Sequence, residues 1–447
     1  MNLSYIVRSA AELKASESEI LHAALSSEHV RSALAEQGER RRYYDPLTTW
    51  LIFLAQTLSP DHSCRNAVAS ARTHGLLPAA ASVHTGAYCQ ARDRLEENSL
   101  HALAAGLGTE LMRAETDAER WHGRRVLVAD GSSVTLPDTP AHQAAYPQPS
   151  AQAPGCGFPV MYLCTLMSLA SGAILDFTMG SGNGNELTLW RKLWRLLCPG
   201  DVVLGDGRYS SYADIALLHA RGIDVVARPG KRTVDFRKGT ALCTGDHIVE
   251  WERPKLLPAW LDHQVLPEKL CMRELRYRVD VPGFRSESVT LVTTLLDAEA
   301  YPKDALAELF FARWQIELRL RDMKTILGMD LLRTKTPERA RKELWMFLAA
   351  YNLIRTLMRA AASEAGETLA RISFQGARQR LLAAASLPRS FRTFRPSYRR
   401  LIRDIAHDLN PERPFRIEPR ALKRRRKQYD FLNRPRAVLR AKLTGAA

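Results

Sequence analysis

The sequence contains no C-x-x-C pair, no H-E-x-x-H, no G-x-x-x-x-G-K-[ST] and no G-x-S-x-G. The seven cysteines (64, 89, 156, 164, 198, 243 and 271) are scattered and odd in number. That excludes a Cys-ligated zinc module and provides no disulfide framework, so a reducing cytoplasm suits the chain. Without the paired histidines, a zinc-protease site has no helix to sit on, although the chain has twelve histidines. The glycine cluster Gly180-Ser181-Gly182-Asn183-Gly184 stands alone and reads as a loop rather than a phosphate cradle. No nucleophile elbow is visible for serine chemistry.

A secretory leader is also lacking, since Glu12, Glu17 and Glu19 interrupt the N-terminus and no long apolar core follows. One uncharged stretch, Gly157 to Leu175, is nearly long enough to span a bilayer. Pro159, Thr165, Ser168 and the Ala170-Ser171-Gly172 break divide it into two shorter runs. They predict two strands of a buried hairpin and no membrane span. No internal repeat is visible.

Negative charge is in short supply. Lys and Arg number 64 against 48 Asp and Glu, a net +16, which points to a polyanionic partner. From Pro411 to Ala447 there are twelve basic and three acidic residues, so over half of the surplus sits in this basic tail. It includes Lys423, Arg424, Arg425, Arg426 and Lys427, and nucleic acid accounts best for so concentrated an excess. A length of 447 residues predicts about three domains, with ample apolar content for a core.

Along the chain, residues 1–118 read as helical. A helix is predicted from Asp45-Pro46-Leu47 to Leu58, then a break at Leu58-Ser59-Pro60-Asp61, then a second helix from about His62 to His74. With the basic stretch Tyr88 to Arg94, this suits either a DNA-reading domain or a helical bundle without a ligand. From Arg124 the texture changes. Arg125 to Ala129 reads as a buried strand stopped by Asp130-Gly131-Ser132. The uncharged hairpin follows, then a helix capped by Asn185, and then a second strand, Val202 to Gly205, stopped by Asp206-Gly207. A helix from Ser211 to Ala220 and a strand from Asp224 to Ala227 complete a mixed sheet with helices against it. Turn signals and alternating stretches mark 230–287 as a β-rich insertion. A strand from Val289 to Leu296 then leads through Pro302 into a helix predicted from about Lys303 to Leu327, with Gly328 as its stop. A further helix is predicted from about Glu338 to Ala362, before an Arg- and Pro-rich end.

On a continuous helix, Arg313, Glu317 and Lys324 fall at about 0°, 40° and 20°, beside an apolar stripe at about 280° to 340°. A carboxylate on that border, flanked by cations, stays anionic and suits a metal ligand next to a polyanion. Asp130 and Asp206 each end an apolar strand, so neighbouring strands could bring both carboxylates to one end of the sheet. Two ions about 3.5 to 4 Å apart suit in-line displacement at phosphorus. Oxygen ligands suit Mg²⁺, with Mn²⁺ as substitute.

These residues resemble the DDE transposases of bacterial insertion sequences, in the branch whose third acidic residue lies in a Y-x2-R-x3-E-x6-K helix. Here the signature reads Phe310, Arg313, Glu317 and Lys324. The likeness extends to Asp130-Gly131-Ser132, to Gly205-Asp206-Gly207-Arg208-Tyr209-Ser210, and to the stretches Leu58 to Cys64 and Thr85 to Cys89. The resemblance implies an α/β, RNase H-like mixed-sheet catalytic core interrupted by a β-rich insertion. A helical N-terminal domain and a helical, basic C-terminal region flank it. The corresponding division is 1–118 (DNA-binding), 119–229 (first part of the core), 230–287 (insertion), 288–380 (second part, with the Glu317 helix) and 381–447 (basic region). It further implies that Asp130, Asp206 and Glu317 bind two divalent ions. Water would attack the phosphodiester at the element's end, and the freed 3′-OH would attack the other strand or target DNA. Arg313 and Lys324 match the family's contacts to the DNA end. Phe310 departs from the family's Tyr, removing a hydroxyl able to bond phosphate.

Some relatives stack a flipped base on a tryptophan of the insertion, for which Trp251 and Trp260 are candidates, each also readable as core. The expected partners are double-stranded DNA, as terminal inverted repeats and target, and a second copy of the chain on that DNA. The expected location is the bacterial cytoplasm, with the nucleoid. A metal-dependent nuclease that does not join strands would use the same carboxylates. A non-catalytic DNA-binding derivative would carry the same charge.

Overall fold

The computed structural model describes residues 43–182, 186–258, 260–261, 266–279, 287–330, 332–385, 394–411, 432 and 434–444. Asn185 as a helix cap and the Lys423 to Lys427 cluster lie outside the described residues.

The first described helix, α1 (Pro46–Leu58), starts where its sequence requires. The Asp45 carboxylate accepts the Thr48 N–H at 2.8 Å, and Pro46 occupies a position whose N–H is not needed. Then come α2 (Cys64–Thr73), capped by the Ser63 hydroxyl, α3 (Gly86–Arg94) and α4 (Glu97–Arg113). Tyr88 is fully buried and donates to Gln56 Oε1 at 2.7 Å, and the Arg92 guanidinium lies 3.7 Å from the Phe53 ring centroid. Tyr88 and Arg92 of the basic stretch therefore hold the bundle together.

The sheet has nine strands among the described residues: β1 (Val126–Thr135), β2 (Val160–Ser168), β3 (Ile174–Gly180), β4 (Val202–Gly205), β5 (Asp224–Ala227), β6 (Thr240–Cys243), β7 (Asp246–Glu252), β8 (Lys269–Val279) and β9 (Glu287–Thr293). Their order is β3-β2-β1-β4-β5-β9-β8-β7-β6. β1, β4 and β5 run parallel, and β2 and β3 are antiparallel, which is the RNase H-like arrangement. β4 is buried at all four positions, as a central parallel strand must be. β6 to β9 form an antiparallel series that joins the core sheet through β9 against β5. The uncharged stretch forms the β2–β3 hairpin, and among the described residues no helix is long and apolar enough to cross a membrane.

One expected boundary fails. The first strand does not stop at Asp130 but continues to Thr135, because β2 keeps pairing alongside it, with Asp130 opposite Thr165.

α6 (Glu186–Leu193) packs on β2 and β3 and α7 (Tyr212–Ala220) on β5, while the short α5 (Pro140–Ala145) lies against the helix Pro337–Ala365. The predicted single helix from Lys303 to Leu327 is corrected to three pieces: α8 (Lys303–Ala312), α9 (Gln315–Arg321) and a π-helical turn, Asp322–Ile326. Between α8 and α9 the N–H groups of Arg313, Trp314, Ile316 and Glu317 bond carbonyls three residues back, tightening the spiral. At the far end the Leu327 N–H reaches back five residues to Asp322, and Gly328 takes the left-handed conformation (φ +81°) as expected. The 3.6-residue phase assumed for the charged stripe is therefore lost at both ends of Glu317.

The long helix α10 (Pro337–Ala365) is the main buttress, packed against α4, α1 and two later helices, α11 (Phe374–Ala385) and α12 (Phe394–Ala406).

 Asn352 on α10 accepts the Ile174 N–H at 3.1 Å and donates to the Ile174 and Ala104 carbonyls, tying β3 and α4 to one helix. Trp345 stacks on Phe177 at 4.5 Å between ring centroids, closing the same layer. The last described helix is α13 (Arg436–Leu443).

Candidate active site

Parallel pairing of β1 with β4 sets Val128 opposite Leu204. Asp130 and Asp206 each lie two residues further on, at neighbouring positions where the two strands diverge. Asp130 Oδ1 accepts the Gly131 N–H at 3.0 Å, and Asp206 Oδ1 accepts the Arg208 N–H at 2.7 Å. Burial pushes the Asp130 carboxyl up to about 6. Arg313 and the Gly131 N–H pull the other way, while the charges of Asp206 and Glu186 add to the rise. A carboxyl whose proton affinity is raised by burial and by neighbouring carboxylates suits a hard divalent cation.

α9 lies against β1, and the segment after it reaches the same strand end. Lys324 Nζ donates to Ser132 Oγ at 3.2 Å. Arg313 acts on Asp130, and its Nε is buried without a hydrogen-bond partner. Glu317 lies between these two cations in sequence and is exposed. Among the described residues no three His, Cys, Asp or Glu side chains are close enough to hold one ion. The fit to a metal therefore rests on the two aspartates, and Glu317 would complete it only by approaching them.

Phe310 is corrected as a DNA contact. It is 5% exposed and part of the main apolar core, with the Arg313 guanidinium 5.4 Å from its ring centroid. It faces inward because α8 turns its apolar stripe, with Leu306 and Leu309, toward the sheet. Trp251 is likewise corrected as a stacking platform. It is 2% exposed, and its Nε1–H donates to Glu274 at 2.8 Å inside the β7–β8 pair. Trp260 is 46% exposed, with the Arg191 guanidinium 3.8 Å from its ring centroid.

Glu186 was missed by sequence reasoning. It opens α6, and its carboxylate accepts from the Tyr209 hydroxyl at 2.8 Å and from the Arg208 guanidinium. A Cβ at position 131 would lie 2.4 Å from Glu186 Oε1, so glycine at 131 is what lets this carboxylate lie beside Asp130. The only signal in the sequence was an acidic residue in the first helical turn after a glycine-rich loop, which ordinarily means a favourable helix dipole and nothing more. Gly131, Ser132, Ser133, Tyr162, Glu186, Arg208 and Lys324 line a cleft of about 500 Å³ beside the aspartates.

The transposase DDE domain model matches residues 121–353, over half of the chain. The chain is 27% identical over 353 residues to the transposase InsG for insertion sequence element IS4 of Escherichia coli (strain K12), covering 75% of each. It is 22% identical over 277 residues to the transposase for insertion sequence element IS231F of Bacillus thuringiensis subsp. israelensis, covering 53% of this chain and 57% of that one. A cryo-EM structure of the piggyBac transposase synaptic complex with hairpin DNA aligns with a TM-score of 0.48 at 12% identity, over 90% of this chain and 87% of that one. With both aspartates at one end of an RNase H-like sheet and a family match across that sheet, the chain belongs to the DDE transposases of the IS4 type, metal-dependent enzymes that cleave DNA and transfer its strands.

Proposed function

We propose that the chain binds the terminal inverted repeats of its own element and cuts and joins them with two Mg²⁺ ions, Mn²⁺ substituting. Asp130, Asp206 and Glu317 hold the ions in this reading. The observation that supports it is the β1–β4 register, by which Asp130 and Asp206 each lie two residues beyond the last pair, Val128 with Leu204. Ions bound there would supply activation of the attacking oxygen and charge neutralisation at the leaving oxygen. The chain's own residues do the rest. The bonds from the Gly131 and Arg208 N–H groups orient one oxygen of each aspartate. Arg313 and Lys324 face the DNA end, Arg as a fork and Lys as a point charge.

In the same reading residues 1–118 recognise DNA, 119–229 and 288–380 form the catalytic core, and 230–287 is the insertion from which Trp260 stacks a flipped base. The region 381–447, with Lys423, Arg424, Arg425, Arg426 and Lys427, adds contacts to the DNA backbone. A homodimer pairs two ends in the bacterial cytoplasm.

The test is cleavage of a DNA fragment carrying the flanking inverted repeats, with and without Mg²⁺, by wild-type protein and by Asp130→Ala, Asp206→Ala and Glu317→Ala. Metal-dependent nicking at the element boundary by wild type alone supports the site, and joined product supports strand transfer. Cleavage retained in any one variant would remove that residue from the metal site.

A further inference from the structure

The cleft beside the aspartates has cations on two sides, and each is held by a neighbour. On one side Lys324 Nζ donates to Ser132 Oγ at 3.2 Å. On the other, Arg208 is tethered through one terminal nitrogen to Glu186, although its side chain is 70% exposed. Glu186 is itself held by the Tyr209 hydroxyl at 2.8 Å, so the arginine is anchored to a fixed point rather than waving from a loop. A guanidinium has five N–H donors, and one tether leaves a fork available to an anion. Arg208 also follows Asp206 by two residues, and its own N–H holds that carboxylate at 2.7 Å. Movement at Arg208 is therefore felt at Asp206.

We propose that Arg208 grips the phosphodiester backbone of one DNA strand in the cleft that Lys324 also lines, next to the bond to be broken, with Glu186 as the positioning residue that aims Arg208. This rests on the proposed function and names the path of its substrate. Ser132 and Ser133 also line the cleft, and the Ser132 hydroxyl, which accepts from Lys324, keeps its own proton for the same backbone. Glu186 holds the Arg208 guanidinium in the free protein, and phosphate competes with it for the remaining donors once DNA enters.

The experiment is fluorescence anisotropy of labelled end DNA with the full chain in EDTA, repeated across a salt series. Each phosphate contact contributes about 0.9 to the slope of log K against log salt. Arg208→Ala and Lys324→Ala should each flatten the slope by about that amount, and the double variant by about twice as much. Arg208→Lys should keep the slope while binding more weakly. Glu186→Ala should weaken binding, whereas Glu186→Gln, whose amide oxygen can still accept from Arg208, should recover most of it. An unaltered slope in Arg208→Ala, with wild type binding normally, overturns the grip and leaves the function standing. Failure of wild type to bind end DNA overturns both. Equal losses in Glu186→Ala and Glu186→Gln overturn the positioning role.

Discussion

Glu186 occupies the space that Gly131 leaves empty, with its Oε1 only 2.4 Å from where a Cβ on residue 131 would stand. The Asp-Gly pair at 130–131 is therefore more than a turn signal, since it sits inside β1 and lets a second element place a carboxylate against the strand. Gly131→Ala should displace Glu186 and with it Arg208, and end cleavage should fall by about 10²-fold. Thermal melting beside single-turnover cleavage would separate this from unfolding, which should be minor because Glu186 lies near the surface.

Divalent metal should stabilise the wild-type protein through Asp130 and Asp206. At ten times its dissociation constant the gain is about 1.4 kcal/mol. Melting curves with Mg²⁺ or Mn²⁺ should shift upward for wild type and not for Asp130→Ala or Asp206→Ala. Chelation should abolish cleavage while leaving end binding in place.

Phe310 belongs to the core, so its removal should be felt as lost stability. Phe310→Ala should cost about 3 to 5 kcal/mol in chemical denaturation. The salt slope of DNA binding should not change, because no phosphate contact is lost.

The two tryptophans of the insertion should behave in opposite ways. Trp251→Phe leaves the Glu274 carboxylate without its indole donor and should cost about 1 to 3 kcal/mol of stability. Trp260→Ala should leave stability nearly unchanged. If a flipped base stacks there, it should weaken binding of distorted or unpaired end DNA by about 1 to 3 kcal/mol.

Acid should erode the link between Glu119 and α10. Burial alone would raise the Glu119 carboxyl, yet Arg359 and the Thr116 N–H and hydroxyl hold it down at about 2, below its ordinary 4.5. Such a group contributes stability above pH about 4.5, and the contribution is lost as pH falls from there toward about 2. The melting-temperature deficit of Glu119→Gln should be full at pH 7 and shrink steadily below pH 4.5.

Much of the fold could be read from local chemistry. Asp45-Pro46 starts α1, Gly328 ends the π turn, and the uncharged stretch Gly157 to Leu175 enters a hairpin, because caps, glycine φ and alternating burial act over a few residues. The strands at Val202 and Asp224 were legible for the same reason, being short apolar runs between turn signals. Local reading failed where a distant partner decides the outcome. β1 runs past Asp130 because β2 continues to pair with it, and the Lys303 to Leu327 helix breaks at Arg313-Trp314 although every residue there tolerates a helix.

For the site, residue order by itself determined the chemical inventory: two aspartates after apolar runs, a glutamate flanked by an arginine and a lysine, and a basic surplus for a polyanion. The tertiary structure decided which of these meet. It brought Asp130, Asp206 and Lys324 to one end of the sheet, turned Phe310 and Trp251 inward, and added Glu186 from a helix whose sequence carries no catalytic signature. The reason is physical. Composition and spacing report what a segment can do within a turn or two of itself, whereas burial and proximity arise only when strands far apart in the chain pair and their side chains compete for the same space.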